Sequence, residues 1–89
     1  MTEILAIGTS DATSSDFTLT GESTSLLLTT TSGVITSNTG FAEIQVKNTA
    51  GLYLTIGRLD SKTPMLVLSA PGIYRVSRTT GGSCGVDRS

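Results

Sequence analysis

The sequence predicts an all-β fold, a small antiparallel β-sandwich or barrel of about six to eight short strands. Residues 41–48 alternate strictly between apolar and polar side chains, with Ala42, Ile44 and Val46 on one face. This is the pattern of a strand with one dry and one wet face. Short apolar segments recur between turns rich in Gly, Asn and Ser, and no segment of useful length has the period of a helix. A length of 89 residues indicates one domain.

The N-terminal segment, residues 1–16, is predicted to form an arm or edge strand followed by a loop, and residues 17–89 a single β domain. The strand contains the apolar Ile4, Leu5 and Ile7, and the Gly, Thr, Ser and Asp residues that follow favour a loop. Two placements stay open for this strand: along the edge of the domain, or against a neighbouring subunit.

The next two strands are predicted at residues 17–20 and 23–30. The second is centred on three consecutive leucines, which suits a strand covered on both faces. Residues 31–40 are the least constrained stretch, with Val34 and Ile35 as its apolar side chains. Because long loops are often functional, this loop is the first candidate for a binding surface.

Four more strands are predicted, separated by turns, over residues 52–59, 65–68, 73–78 and 84–89, the last of them as a short edge strand. The turn before the first of them begins with Asn48 and ends with Gly51, which both tolerate a left-handed backbone. In the strand that follows, Leu52, Leu54 and Ile56 share one face, which makes that face apolar.

Composition argues against catalysis and against a metal or cofactor. Histidine is absent, which removes the usual general base and the commonest metal ligand. The seven carboxylates lack the spacing of a calcium loop, and the glycines of residues 81–85 lack the lysine of a phosphate-binding loop. The single cysteine, Cys84, cannot form an intramolecular disulfide and is expected to be an inert thiol. We therefore expect no enzyme and no cofactor.

Charge and hydropathy argue against nucleic-acid and membrane partners. Six basic and seven acidic residues give a net charge of −1, so there is no basic field to neutralise phosphates. No apolar run is long enough to span a membrane, and the apolar residues 4–7 are too few for the core of a signal peptide. We expect synthesis in the cytoplasm.

The apolar supply is modest. The chain has 10 Leu, 6 Ile and 5 Val but only four aromatic residues. Apolar burial at about 25 cal/mol per Å² must offset a chain entropy of about 1–2 kcal/mol per residue. A core this small favours completion by a partner surface, that is, a homo-oligomer or docking onto a larger assembly.

Three side chains of the predicted strand at residues 73–78 have a predicted role, two of them in binding a neighbouring subunit and one in the core. Arg75 and Arg78 are either solvated charges or planar forks that bind carboxylates of a neighbouring subunit. Tyr74 is expected to be a core or corner tyrosine whose hydroxyl bonds to backbone.

The end of the chain resembles the C-terminus of small structural proteins of tailed bacteriophages. Residues 70–78 read Ala-Pro-Gly-Ile-Tyr-Arg-Val-Ser-Arg, and a Gly/Thr-rich loop then leads to Gly-Val-Asp-Arg at residues 85–88. The phage proteins end in Pro-Gly-x-Tyr-Arg-Val-x-Arg, a variable loop and Gly-Val-Asp-Arg. Residues 17–28 resemble their opening strand, glycine turn and Ser/Thr-rich strand. The resemblance spans residues 17–88 and is specific in its last part.

The resemblance implies a virion structural protein, a capsid decoration or cement protein on the outer surface of the phage head. It implies the major capsid protein as partner and a homo-oligomer, with a trimer favoured. The candidate inter-subunit or capsid contacts are Ile4, Leu5, Ile7, Val34, Ile35, Arg75 and Arg78.

Two alternatives to a head decoration protein stay open. The first is another virion component, from the tail, the head closure or the base of a head fibre. The second is a carbohydrate-binding or adhesin-like β-module, for which Tyr53 and Tyr74 are the available tyrosines.

Overall fold

Strands follow one another along the chain, as the alternating pattern predicts. The computed structural model describes residues 1–36 and 38–89, and these residues contain nine strands and no helix. The strands are β1 (Thr2–Gly8), β2 (Ala12–Thr13), β3 (Phe17–Leu19), β4 (Thr24–Thr29), β5 (Ala42–Lys47), β6 (Tyr53–Leu59), β7 (Met65–Leu68), β8 (Gly72–Arg78) and β9 (Cys84–Arg88). Eight correspond to predicted strands, and β2 lies in the predicted polar loop.

The strands form two antiparallel sheets, which confirms the all-β prediction in its sandwich form. The first sheet has the order β1-β9-β4-β7. The second has the order β2-β8-β5-β6, and β3 also pairs with β8. The strands β8 and β9 therefore lie in the interior of their sheets, so the prediction of an edge strand at residues 84–89 is wrong.

The first strand packs along the domain edge. Its Thr2 pairs with Arg88, and its Gly8 with Cys84, so β1 is the edge of the first sheet. Leu5 is only 5% exposed and belongs to the core. The short β2 then pairs with β8 of the second sheet. The N-terminal segment therefore crosses from one sheet to the other.

The core lies between the sheets and is mostly aliphatic. Its largest fully buried side chains are Leu19, Leu26, Leu28, Ile44, Leu59, Val76, Val86 and Cys84. Tyr74 is 3% exposed, and its hydroxyl donates to the Ala70 carbonyl oxygen at 2.7 Å. Its ring stacks on that of Phe17, with 5.9 Å between centroids. The prediction of a core tyrosine bonded to backbone is confirmed.

The turn between β5 and β6 lies where it was predicted, with Gly51 in the left-handed region and Asn48 outside it. Gly51 has a φ of +83°, and its N–H donates to the Asn48 carbonyl at 3.1 Å. The Asn48 side-chain oxygen accepts hydrogen bonds from the N–H groups of Ala50 and Leu52, both at 2.9 Å. Asparagine and glycine thus fix where β6 begins.

Over residues 1–36 and 38–89, no helix exists that is long and apolar enough to cross a membrane.

Candidate interaction surface

Exposed apolar side chains are most frequent on and next to β6 and β7, the strands at which the second and the first sheet end. Five side chains there are 48–63% exposed: Leu52, Leu54, Ile56, Met65 and Val67. We call these five residues the apolar side. Exposed apolar clusters on small proteins mark interaction sites, whereas isolated exposed aliphatics do not.

Strand register explains why these side chains are exposed. Leu54 pairs with Val46 and faces the second sheet's inner side, yet it remains 51% exposed at the open end of the sandwich. In β7, Leu66 packs against the core, and its neighbours Met65 and Val67 alternate to the outer face. A Cβ placed on Gly57 of β6 would lie 3.7 Å from Leu66 Cδ1 of β7, so the two sheets lie close together here.

Both strands of the apolar side are edge strands. β6 pairs only with β5, and β7 only with β4, among the described residues. Edge strands offer unpaired backbone groups, which proteins protect with bulges or short lengths. Both devices occur here: a register shift opposite Ile44 and Gln45 leaves Ile56 as an extra residue in β6, and β7 is four residues long.

Charge is sparse on this side. Arg58 is the one charged residue within β6 and β7. Its Nε lies 3.3 Å from a carboxylate oxygen of Asp60. The N–H groups of Thr63 and Lys62 bond to the same carboxylate and lower the pKa of Asp60. The Arg58 charge is therefore paired within the chain, and the exposed Lys62 adds a second cation in the turn between β6 and β7.

The opposite side of the sandwich is organised around a buried cation. Arg78 is 5% exposed, and its guanidinium donates to three backbone carbonyl oxygens, of Ala6 at 2.6 Å, Cys84 at 2.7 Å and Ser10 at 2.8 Å. These carbonyls lie in β1, in β9 and in the segment between β1 and β2. Arg78 thereby ties both sheets to the N-terminal segment, and we call this the closed side.

Cys84, which the sequence predicts to be an inert thiol, also lies on the closed side. It is fully buried. Burial raises the pKa of the Cys84 thiol, and the charge of Arg78 opposes that rise. A buried, protonated thiol is a poor nucleophile.

Arg75 occupies a different position, on the outer face of the second sheet. Its Nε donates to the Gln45 side-chain oxygen at 2.7 Å, and its guanidinium carbon lies 3.5 Å from the centroid of the Tyr53 ring. The Tyr53 hydroxyl donates to the Asp16 carboxylate at 2.7 Å, which raises the pKa of Tyr53. The guanidinium is thus held in a fixed plane, a geometry suited to a carboxylate.

The seven predicted contact residues do not form one surface. Leu5 and Arg78 are buried within the chain, and Ile4 and Ile35 are half-buried against the core. Ile7 is 36% exposed on β1 and Val34 61% exposed in the loop. Their role as contacts stays a prediction, and the burial of Leu5 and Arg78 assigns both to the fold of the single chain.

The predicted binding loop borders an open cleft of about 290 Å³. The cleft is lined mainly by hydroxyl side chains of residues 30–39, together with Asn38 and Ser83. Ser37 of this loop lies outside the described residues. The N–H of Gly33 bonds to Thr30, so the loop opens with a tight turn.

Sequence reasoning grouped Leu52, Leu54 and Ile56 by alternation, but it gave neither their exposure nor the register shift that leaves Ile56 as an extra residue. Alternation assigns side chains to faces, and it does not show which strand lies at a sheet edge. The available signal for an exposed apolar surface was that two consecutive apolar strands, residues 52–59 and 65–68, contain almost no charged residues.

In the described part of the chain, no three or more Cys, Asp or Glu side chains are grouped so as to hold a metal ion. Comparison of the chain with protein-family models, curated proteins and solved structures finds no match. Fold and surface define a small β-sandwich with one closed and one apolar side.

Proposed function

We propose that this chain is a non-enzymatic structural protein of a phage virion, a decoration or cement protein that binds the major capsid protein on the outer surface of the head as a homo-oligomer. The observation that carries the proposal is the apolar side, with five aliphatic side chains about half exposed. The phage-like C-terminal sequence supports the virion setting.

Burial of the apolar side would contribute substantially to assembly. Fully burying a Leu, Ile, Val or Met side chain is worth about 1.5–3 kcal/mol, so covering a half-exposed one contributes about 1 kcal/mol. Five such contributions are large beside the stability of a small domain, about 5–15 kcal/mol. A protein with this surface gains stability when it assembles, because binding to the native state alone shifts the folding equilibrium. This suits a cement protein.

The position of the phage-like segments is consistent with the proposal. Residues 70–78 and 85–88 form most of β8 and β9, each flanked by strands on both edges. Interior strands of this kind hold the fold together. The apolar side lies on the edge strands β6 and β7, which are not part of these two segments. In this proposal the interior strands keep the fold and the edge strands face the assembly.

The carbohydrate-binding alternative receives less support. A sugar site generally presents an open aromatic face with polar groups around it. Tyr74 is 3% exposed, and the Tyr53 ring is covered by Arg75 at 3.5 Å. Both tyrosines are engaged in packing within the chain.

Stoichiometry in purified particles tests the proposal. Quantitative mass spectrometry would compare this chain with the major capsid protein of the phage that encodes it. We expect a ratio that is one or a simple fraction of one. A few copies per particle would instead indicate the tail, head closure or a fibre base, and absence from the particles would overturn the virion role.

A further inference from the structure

We propose that Arg75 and Lys47, beside the Tyr53 ring on the outer face of the second sheet, form a binding site for a carboxylate group of a partner protein. The inference rests on the proposed role in assembly, and it names the chemical group that a partner presents to this face.

Three neighbouring strands bring the site together. Arg75 of β8 pairs with Gln45 of β5, and Lys47 of β5 pairs with Tyr53 of β6. Buried side chains alternate with less buried ones along β5 and β8, so Arg75, Gln45 and Lys47 lie on the outer face. The Arg75 guanidinium carbon lies 3.5 Å from the Tyr53 ring centroid, and Lys47 Nζ lies 5.8 Å from it. Two positive charges therefore meet at one aromatic ring.

The guanidinium of Arg75 is held in place but is only partly bonded. Its Nε donates to the Gln45 side-chain oxygen at 2.7 Å. Within residues 1–36 and 38–89 its terminal nitrogens make no hydrogen bond, and neither Arg75 nor Lys47 belongs to an ion pair. The two terminal nitrogens of a planar guanidinium match the two oxygens of a carboxylate. The part of Arg75 that stays available is therefore the part that binds this group.

The carboxylate of Asp16 fixes the ring and leaves the site positive. The Tyr53 hydroxyl donates to the Asp16 carboxylate oxygens at 2.7 Å, which orients the ring under the guanidinium. The charges around the ring are then two positive and one negative, and this balance attracts an anion. Because Arg75 is already positioned by Gln45 and Tyr53, it loses little side-chain freedom when a ligand binds.

The carboxylate is expected to come from a different protein and not from a second copy of this chain. Four of the chain's seven carboxylates already accept hydrogen bonds or form an ion pair within it, namely Asp11, Asp16, Glu22 and Asp60. The net charge of −1 gives two copies no mutual attraction. A nucleic-acid phosphate is disfavoured, because two cations do not form the extended basic surface that such binding requires.

A short acidic peptide tests the site in solution. The probe is an acetylated and amidated tetraglutamate, and a tetraglutamine peptide with the same end groups is its uncharged control. In the ¹⁵N-labelled chain, we expect tetraglutamate to shift the NMR signals of the Arg75 Nε–H and the Gln45 side-chain amide. Half-saturation should fall on the order of 1–10 mM, and tetraglutamine should shift neither signal.

A matched pair of substitutions separates this site from the overall charge. Arg75→Gln and Arg58→Gln remove the same charged group, but Arg58 is already paired with Asp60. We expect Arg75→Gln to weaken tetraglutamate binding at least about tenfold, and Arg58→Gln to weaken it less than about twofold. Lys47→Gln, with an expected loss of about threefold, is the second variant if Arg75→Gln lacks the β-sheet circular dichroism of the unmodified chain.

Four results would overturn the inference: no shift at the highest tetraglutamate concentration, equal shifts with tetraglutamine, equal losses in the two arginine variants, or tighter binding of inorganic phosphate than of tetraglutamate. The last result would assign the two cations to a phosphate ligand.

Failure here is distinguishable from failure of the proposed function. A chain that is present in particles at a fixed ratio but does not bind tetraglutamate overturns only the carboxylate site. A chain that binds tetraglutamate but is absent from particles overturns only the virion role.

Discussion

The two sides of this sandwich invert the usual placement of polar and apolar groups. On the closed side a charged residue, Arg78, is 5% exposed and bonds to three carbonyls. On the apolar side five aliphatic side chains are 48–63% exposed. Charged residues are rarely buried without partners, and a cluster of exposed aliphatics is the informative kind of exposure. The first arrangement is complete within one chain, whereas the second leaves apolar side chains in contact with water.

The comparison shows how a short chain covers its sheet edges. The N-terminal segment adds β1 to the first sheet and β2 to the second, so it closes one side of the sandwich with the help of Arg78. On the opposite side the turn from Asp60 to Pro64 joins β6 to β7, and the Asp60 N–H bonds to the Thr63 carbonyl. Among residues 1–36 and 38–89, no further strand pairs with the outer edge of β6 or of β7.

Removing the guanidinium should have the largest effect. In Arg78→Met, three carbonyls lose their donor in a buried site, and we expect the free energy of unfolding to fall by about 3–5 kcal/mol. Urea unfolding of the purified chain measures this loss. Alkylation of Cys84 should also become faster, since its buried thiol reacts when the closed side opens.

The conservative variant Arg78→Lys sharpens this test. An ammonium group keeps the charge but lacks the planar fork, so it satisfies fewer of the three carbonyls. We expect an intermediate loss of about 1–3 kcal/mol. If Arg78→Met were as stable as the unmodified chain, the closed side would not depend on this cation.

Two glycine-to-alanine substitutions compare the sides directly. A Cβ at Gly85 would lie 2.6 Å from the Leu5 carbonyl oxygen and 2.8 Å from the Ile7 nitrogen, so β1 would have to move. At Gly57 the Cβ would meet only Leu66 Cδ1, at 3.7 Å. We expect Gly85→Ala to cost about 1–3 kcal/mol and Gly57→Ala to be neutral or to stabilise by up to about 1 kcal/mol.

Urea unfolding of both alanine variants measures this difference. A loss in Gly57→Ala equal to that in Gly85→Ala would mean that the apolar side is as tightly packed as the closed side. The distinction between the two sides would then fail.

The smallest effect on the stability of the single chain should come from a substitution on the apolar side. Because Val67 is 61% exposed, Val67→Lys should change the unfolding free energy of the monomer by no more than about 0.5 kcal/mol. Unfolding at low concentration, where the chain is monomeric, measures this. A large loss there would assign Val67 to the core of one chain and not to a contact between chains.

Much of the fold could be predicted from the sequence, because alternation and turn chemistry are local. Eight strands, the Asn48–Gly51 turn and the backbone-bonded Tyr74 could be predicted in this way. The strand β2 could not, since two residues are too few to show an alternation of apolar and polar side chains.

The buried arginine shows where local patterns stop. Period-two alternation puts Arg78 on the same face as Tyr74 and Val76, which was the available signal for an inward position. Burial of a guanidinium depends on three carbonyls that the N-terminal segment and β9 bring together, and no local pattern indicates them. The exposure of Leu54 and Ile56 likewise depends on which strands end the sheets. The virion role, the capsid partner and the trimer stay predictions.

Hydrogen–deuterium exchange at low and at high micromolar concentration tests the central claim most directly, that the apolar side is an assembly surface. It reports local protection along the backbone. We expect slower exchange at high concentration in peptides that span β6 and β7, and unchanged exchange in β1. Protection that does not depend on concentration, or that rises in β1 instead, would contradict the claim.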